Sequence, residues 1–326
     1  MRIATYNLES FGAETDDPAR LVPRISALRP RLVALSADVL CLQEINAQKP
    51  PGATLRQHLA LEQLLAGTPY ADFPVVTSLR ADGHGPADRH NLAVVSRHPI
   101  LRAETLWNTR VMPPLWRPQT ADPPVAAPLP ILFDRPLLAV TIALPDGRPL
   151  HVLCLHLRAP IAAPVAGGKL AADRWGSSAA WAEGYFLAAV KQVAQALEAR
   201  LWVEERLAAD PDALIALAGD FNADLSSAAL RLLAAGADDT GNPDLAGRSL
   251  SALDGVRPDG RRGTVLHGGR FQTLDHILVS PALRQLAIQV EVHNAGLPDE
   301  VFAAGGTAAS YHAAVTADFA FDRATG

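Results

Sequence analysis

Leu214-Ile215-Ala216-Leu217-Ala218-Gly219-Asp220-Phe221-Asn222 is the stretch that decides the fold. Its first five residues form an unbroken apolar run, as a buried strand requires. The run then stops at a glycine, an aspartate and an asparagine. In an extended segment, residues i and i+2 point the same way. Asp220 and Asn222 are therefore expected to face one centre while Phe221 packs behind them. Gly219 lets backbone approach closely just before that centre. A buried strand with polar groups at its end points to an α/β sheet whose rim carries a site.

The same arrangement recurs in both directions from this point. Asn7 ends the strand pattern of residues 2–7, and Glu44 follows the apolar run Val39-Leu40-Cys41-Leu42 and Gln43. Residues 92–95 form another apolar run. Residues 138–143 and 151–156 flank Pro145-Asp146-Gly147-Arg148, which marks a hairpin. Asp275-His276 opens Ile277-Leu278-Val279, and His312 precedes a last strand over 314–319. Helical patterns fall near 20–36, 55–66, 178–208 and 226–235. Residues 80–90, 112–130 and 236–272 read as loops, the second because of its prolines. No fixed-period repeat and no linker interrupts the pattern, so residues 1–326 are expected to form a single domain.

Composition narrows the possibilities. The 326 residues are 49% hydrophobic and 19% charged, enough apolar material for a large core and too much for a disordered chain. No apolar run is long enough to span a membrane. Cys41 and Cys154 are the only cysteines, which excludes a disulfide scaffold and leaves two buried thiols. The net charge of −5 argues against a surface that grips long nucleic acid. Lys49, Lys169 and Lys191 are the only lysines, so nearly all positive charge is arginine, which suits bidentate phosphate contacts. The N-terminus reads directly as a strand with no leader pattern, and a cytoplasmic location is expected.

Carboxylates and carboxamides gathered at one rim form a hard oxygen-donor cluster suited to Mg²⁺ or Mn²⁺. Without a cation such acids would repel one another. His151 and His156 are five residues apart on one strand and must face opposite sides. His156, nearer the strand end, is the site candidate. His58, His84, His98, His267 and His293 read as surface or loop residues, and His90 stays open.

Taken together, the chain resembles the endonuclease/exonuclease/phosphatase superfamily, which has the fold of deoxyribonuclease I. The resemblance rests on Thr5-Tyr6-Asn7, Leu42-Gln43-Glu44, Val95-Ser96-Arg97-His98-Pro99-Ile100, Leu155-His156-Leu157, Gly219-Asp220-Phe221-Asn222, Leu274-Asp275-His276-Ile277-Leu278 and Ser310-Tyr311-His312, in family order. It implies a four-layer α/β/β/α sandwich, two packed mixed β-sheets flanked by helices. It also implies metal-dependent hydrolysis of a phosphate ester. By position, Asn7, Glu44, Asp220 and Asn222 belong to the metal side, with Glu44 the principal ligand. Asp220 and Asn222 orient or activate the attacking water. Asp275 fixes the tautomer of His312, which acts as general base or as a hydrogen-bond donor that stabilises the phosphate. His156 stands across the phosphate as stabiliser or acid. One position departs from the family: Tyr311 stands where an aspartate that often helps to hold metal is usual. One-metal activity is the expectation that follows.

The resemblance leaves the substrate open between a nucleic acid or other phosphodiester and a small-molecule or lipid-headgroup phosphate ester. A descendant that has lost activity and binds a phosphate ligand or a protein partner is the reading from another class. Substrate choice falls to loops 80–90, 112–130 and 157–175. Trp107, Trp116 and Trp175 lie in or beside them, as loop anchors or as platforms for a base or sugar.

Overall fold

The computed structural model describes residues 1–13, 18–253, 263–303 and 307–321. Its strands form two large mixed sheets. The first contains β1 (Arg2–Phe11), β2 (Val39–Ile45), β3 (Val75–Thr77), β4 (Asn91–Ser96), β17 (Ala287–Val292) and β18 (Val315–Phe319), in the order β17-β18-β1-β2-β4-β3. The second contains β5 (Ile100–Leu106), β8 (Leu137–Ala143), β9 (Pro149–His156), β12 (Leu214–Asp220), β13 (Ser251–Ala252) and β16 (Asp275–Val279), in the order β13-β16-β12-β9-β8-β5. Each sheet has one parallel pair at its centre, β1 with β2 and β12 with β9, and antiparallel neighbours outside.

Period-two alternation explains why these strands stack. Ile3, Val39, Cys41, Val152, Cys154, Ala216, Ala218 and Ile277 point between the sheets and form the central core. Ile215 and Leu217, one position out of phase, point outward onto α3 (Ser178–Ala209) and α4 (Ala228–Ala234), where Trp202 and Leu230 cover them. Tyr6, Leu40 and Leu42 point to the opposite outer face, beneath α1 (Pro18–Leu35) and α2 (Leu59–Leu65). The result is the expected four-layer sandwich. Cys41 and Cys154 are buried free thiols in the central layer.

Ser177 starts α3 by accepting a hydrogen bond from the Ala180 N–H at 3.1 Å. The helix ends at Asp210, held extended before Pro211. The expected loops carry short structure. Residues 112–130 contain the ribbon of β6 (Leu115–Trp116) and β7 (Leu129–Pro130), and residues 157–175 contain β10 (Lys169–Ala171) and β11 (Arg174–Trp175). Residues 236–272 are not simply a loop. They hold α5 (Ala237–Thr240), a 3₁₀ turn over Pro243–Arg248, β13, and the ribbon of β14 (Val265–His267) and β15 (Arg270–Gln272); residues 254–262 lie outside the described residues. A short α6 (Pro281–Gln285) follows β16. No helix among the described residues is long and apolar enough to cross a membrane.

Candidate active site

The alternation that builds the core also builds the site. Asn7 has the phase of Ile3, His156 that of Cys154, Asp220 that of Ala218, and Asp275 that of Ile277. All four side chains therefore continue the inter-sheet layer past its apolar end. Asn7, His156, Asp220 and Asp275 are each at most 2% exposed. Register fixes their neighbours: Asp220 lies opposite His156 on one side and Asp275 on the other.

Glu44 is out of phase with this layer, and a backbone irregularity redirects it. The register of β1 against β2 shifts between Asn7 and Phe11, and that of β2 against β4 shifts between Leu42 and Ile45. Glu44 takes φ +60°, Glu9 and Ser10 φ +50°, His90 φ +57° and Asn222 φ +49°. Left-handed backbone is costly for such residues and clusters where function over-determines it. The turned-back Ser10 donates its N–H (2.9 Å) and Oγ–H (3.2 Å) to Glu44 Oε2.

Asn7 Nδ2 spans the two sheets, donating to Asp220 Oδ2 at 3.0 Å and to Glu44 Oε1 at 3.3 Å. Its Oδ1 accepts from the Glu9 N–H at 2.9 Å. His312 meets Asp275 Oδ2 through Nδ1 at 2.8 Å, which leaves Nε2 3.9 Å from Asp220 Oδ2. Ser310 positions that histidine: its Oγ accepts from the His312 N–H at 3.0 Å and donates to Asn7 O at 2.8 Å. His156 Nε2 lies 3.3 Å from Asp220 Oδ2 and 3.7 Å from Glu44 Oε1. Asn222 joins through a turn, not through the extended i, i+2 geometry expected from sequence. β12 ends at Asp220, the Asn222 N–H caps Asp220 Oδ1 at 2.8 Å, and Asn222 Nδ2 donates to Leu157 O at 3.0 Å.

Four further residues belong here. Arg135, 8% exposed, meets His156 Nε2 and donates to Leu157 O at 3.2 Å. It lies two residues before β8, whose Leu137 pairs with Leu155, and that pairing brings it beside His156. His90 Nδ1 is 3.9 Å from Glu44 Oε2, as the pairing of Ile45 with Asn91 dictates. Glu9, two residues beyond Asn7, accepts from the Tyr311 N–H at 3.0 Å. Buried Gln195 of α3 donates to Arg135 O at 2.9 Å and accepts from the Arg158 N–H at 2.8 Å, tying both loops to the helix. His58 lies in the loop that leads into α2, half-buried, and burial pushes it down to about 4.

Charge is concentrated in this buried space. Burial, and then the Asp275 charge, push Asp220 up to about 7. Burial likewise raises Glu9 to about 7. Burial opposes the charge on His312, but Asp275 and Asp220 outweigh it and hold it at about 10. Burial, helped by Arg135, pushes His156 well below its ordinary value, so it is a neutral imidazole beside a guanidinium. Side-chain atoms of Glu44, His90 and His156 lie within metal-sharing distance, as do those of Asp220, Asp275 and His312 and of Glu9, Glu300 and His312.

Two mixed sheets meet at a rim of carboxylates, carboxamides and histidines. The Endonuclease/Exonuclease/phosphatase family matches residues 4–312, and the chain belongs to that family. Its fold is similar to that of a mannosyl-6-phosphatase from Bacteroides thetaiotaomicron, at 16% identity and a TM-score of 0.57 over 98% of this chain and 100% of that one. It is also similar to truncated TDP2 from Caenorhabditis elegans, at 13% identity and 0.53 over 98% and 96%. A conserved protein of unknown function from Enterococcus faecalis gives 16% and 0.56 over 99% and 100%. At these identities the likeness is one of fold. No curated protein matches the sequence.

Proposed function

We propose that the chain is a divalent-metal-dependent phosphoesterase that hydrolyses a phosphodiester by in-line attack of an activated water. The observation that carries this reading is the Asp275–His312 pair at 2.8 Å, aimed through Nε2 at Asp220, whose other side faces His156. The donor set fits a hard cation. Glu44 and Asp220 approach one another from different sheets, and Asp275 Oδ1 is buried without a hydrogen-bond partner among the described residues. Glu44 would hold the ion, with Asp220, Asn7 and Asn222 around it, and Mg²⁺ or Mn²⁺ suits these oxygens. Such an ion supplies Lewis-acid stabilisation of charge on the phosphoryl oxygens.

The chain's own groups do the rest. Asp220, poised near neutrality, takes a proton from the attacking water, and Asn222 fixes the orientation of Asp220. His312, held protonated by Asp275, donates to a phosphoryl oxygen. Arg135 brings the fixed positive charge on the side of His156, and the neutral imidazole orients it. Glu9 places a carboxylate against the backbone of Tyr311, the position where the family motif usually has its aspartate. Retention of so complete a set argues against an inactive descendant.

The test is hydrolysis of bis(p-nitrophenyl) phosphate, p-nitrophenyl phosphate and supercoiled plasmid, each with Mg²⁺ and with chelator. Asp220→Ala and His312→Ala are expected to lower kcat about 10²–10⁴-fold. Full activity in either variant rejects the assignment. Cleavage of the monoester alone selects a phosphatase. Plasmid nicking that falls steeply with salt selects a nuclease.

A further inference from the structure

Gln192, Gln195 and Glu198 recur every third residue along α3, so they share one side of the helix. Each binds a different loop. Glu198 accepts from the Arg110 N–H at 2.9 Å and the Val111 N–H at 2.8 Å. Gln195 donates to Arg135 O at 2.9 Å and accepts from the Arg158 N–H at 2.8 Å. Gln192 reaches the turn after β12: its Nε2 donates to Phe221 O at 3.3 Å and to Asn222 O at 3.1 Å.

That turn needs an outside hold. β12 stops at Asp220, and the chain passes through Asn222 at φ +49°. Left-handed backbone is disfavoured for a residue with a Cβ and persists where its neighbours over-determine it. On either side, Asp220 O accepts from the Leu157 N–H at 3.0 Å, the Phe221 N–H donates to Leu274 O at 2.8 Å, and His276 Nε2 meets Ala223 O at 3.0 Å. Between these anchors the Phe221 and Asn222 carbonyls face α3. Among the described residues, no backbone N–H donates to either oxygen. A carboxamide carries two N–H donors on one nitrogen, so one glutamine satisfies both. Turned over, its Oε1 would face two carbonyl oxygens, so the partners fix the orientation of the amide.

The two glutamines hold the two parts of the site that must meet. In its turned conformation Asn222 caps Asp220 Oδ1 through its N–H at 2.8 Å and donates from Nδ2 to Leu157 O at 3.0 Å. Arg135 donates to the same Leu157 O at 3.2 Å. Gln192 therefore fixes the turn that orients Asp220, and Gln195, three residues on, fixes the backbone of Arg135.

We propose that Gln192 is a positioning residue for hydrolysis. It acts through Asn222, holding that turn and with it the Asp220 carboxyl in register with Arg135, which the same face of α3 holds through Gln195. What the turn is positioned to do rests on the phosphoesterase reading; what holds it rests on the hydrogen bonds alone.

Gln192→Met keeps the length and helix preference of the side chain and removes the donor. It should lower kcat about tenfold to 10²-fold with KM within about twofold, as misplacement of reacting groups does, and melt close to the parent. Gln192→Ala should lose a similar factor. Gln192→Lys, which returns an N–H donor at that reach, should recover most of the rate. A second readout needs no turnover. In protein isotope-labelled on asparagine, the Asn222 side-chain amide resonances, assigned through Asn222→Asp, should move in Gln192→Met and return in Gln192→Lys. A parent that hydrolyses none of the three esters rejects the phosphoesterase reading, and the Asn222 resonances then decide whether Gln192 holds the turn. Full kcat in the Met and Ala variants of an active parent overturns the inference, as do Asn222 resonances that stay in place. A loss of rate that Gln192→Lys does not recover, with a lowered melting temperature, would assign Gln192 to stability alone.

Discussion

Asp275 acts through one oxygen. Its Oδ2 holds His312 Nδ1 at 2.8 Å, and both side chains are buried. Asp275→Asn keeps the shape and removes the charge, so the imidazole loses its fixed tautomer and its cationic form. The expected result is a fall in kcat of about 10²–10⁴-fold with little change in KM and a normal near-ultraviolet circular dichroism spectrum. The same pair makes stability depend on pH. His312 is held at about 10, above its ordinary 6.5. Its contribution is therefore complete below about 6.5 and is lost as pH rises through 10. Urea unfolding across that window should show the parent losing stability with a slope that Asp275→Asn flattens. Asn7, Glu44, His156, Asp220, Asn222, Asp275 and His312 were legible in the sequence as polar residues ending or opening apolar runs. Glu9 and Arg135 were not singled out and His90 stayed open: Glu9 lies past residues 2–7, in the irregular end of β1, and His90 and Arg135 stand just before β4 and β8 and become neighbours only through pairing. The turn at Asn222 was hidden for a different reason: nothing in Gly219-Asp220-Phe221-Asn222 distinguishes an extended end from a left-handed one.

At the scale of elements, the buried strands and long helices were legible, because period-two and helical patterns mark them strongly. Helix α3 was expected over 178–208 and spans Ser178–Ala209, and the hairpin of β8 and β9 falls where Pro145-Asp146-Gly147-Arg148 places it. The edge strands β5 and β17 were not legible, since their alternation is broken by exposed positions on both faces. The ribbons were not either, because two-residue strands carry no period. What holds the ribbon is tertiary. Burial opposes ionisation of Glu183, but hydrogen bonds from Thr120, Gln119 and Trp116 outweigh it and hold the carboxyl at about 2, below its ordinary 4.5. The anchor is thus complete above about 4.5 and weakens as pH falls toward 2. Acid titration followed by Trp116 fluorescence should report the ribbon loosening in that window, and Glu183→Leu should make residues 107–135 quick to proteolyse already at neutral pH. Gly219 is the corresponding anchor inside the sheet. A Cβ there would stand 1.9 Å from Leu155 O. Gly219→Ala must push β12 from β9, costing about 1–3 kcal/mol in denaturant unfolding. It should cost activity more severely, because Asp220 and His156 ride on those two strands.

Across the whole molecule, the site joins the two sheets through polar and charged groups where the apolar packing between them ends. Asn7 and Glu44 come from the first sheet, and His156, Asp220 and Asp275 from the second, while His312 leads into β18 and returns the chain to the first. The acids that meet there raise one another's cost of ionisation: Asp220 is driven to about 7 by burial and by Asp275, and Glu9 to about 7 chiefly by burial. Burying such a cluster at the end of the central layer costs stability, and a cation bound by both sheets would return it. The sign of that coupling can be measured without any substrate. Mg²⁺ at about 100 times its dissociation constant should stabilise the protein by about 2.7 kcal/mol, and a chelator should remove that gain. Glu44→Gln and Asp220→Asn should each lose the metal-dependent rise in Tm, the second while raising Tm in the absence of metal because it deletes a buried carboxylate beside Asp275. Scanning calorimetry of the parent and both variants, with Mg²⁺ and with chelator, checks this. A metal-dependent rise that survives in both variants would place the cation elsewhere in the fold.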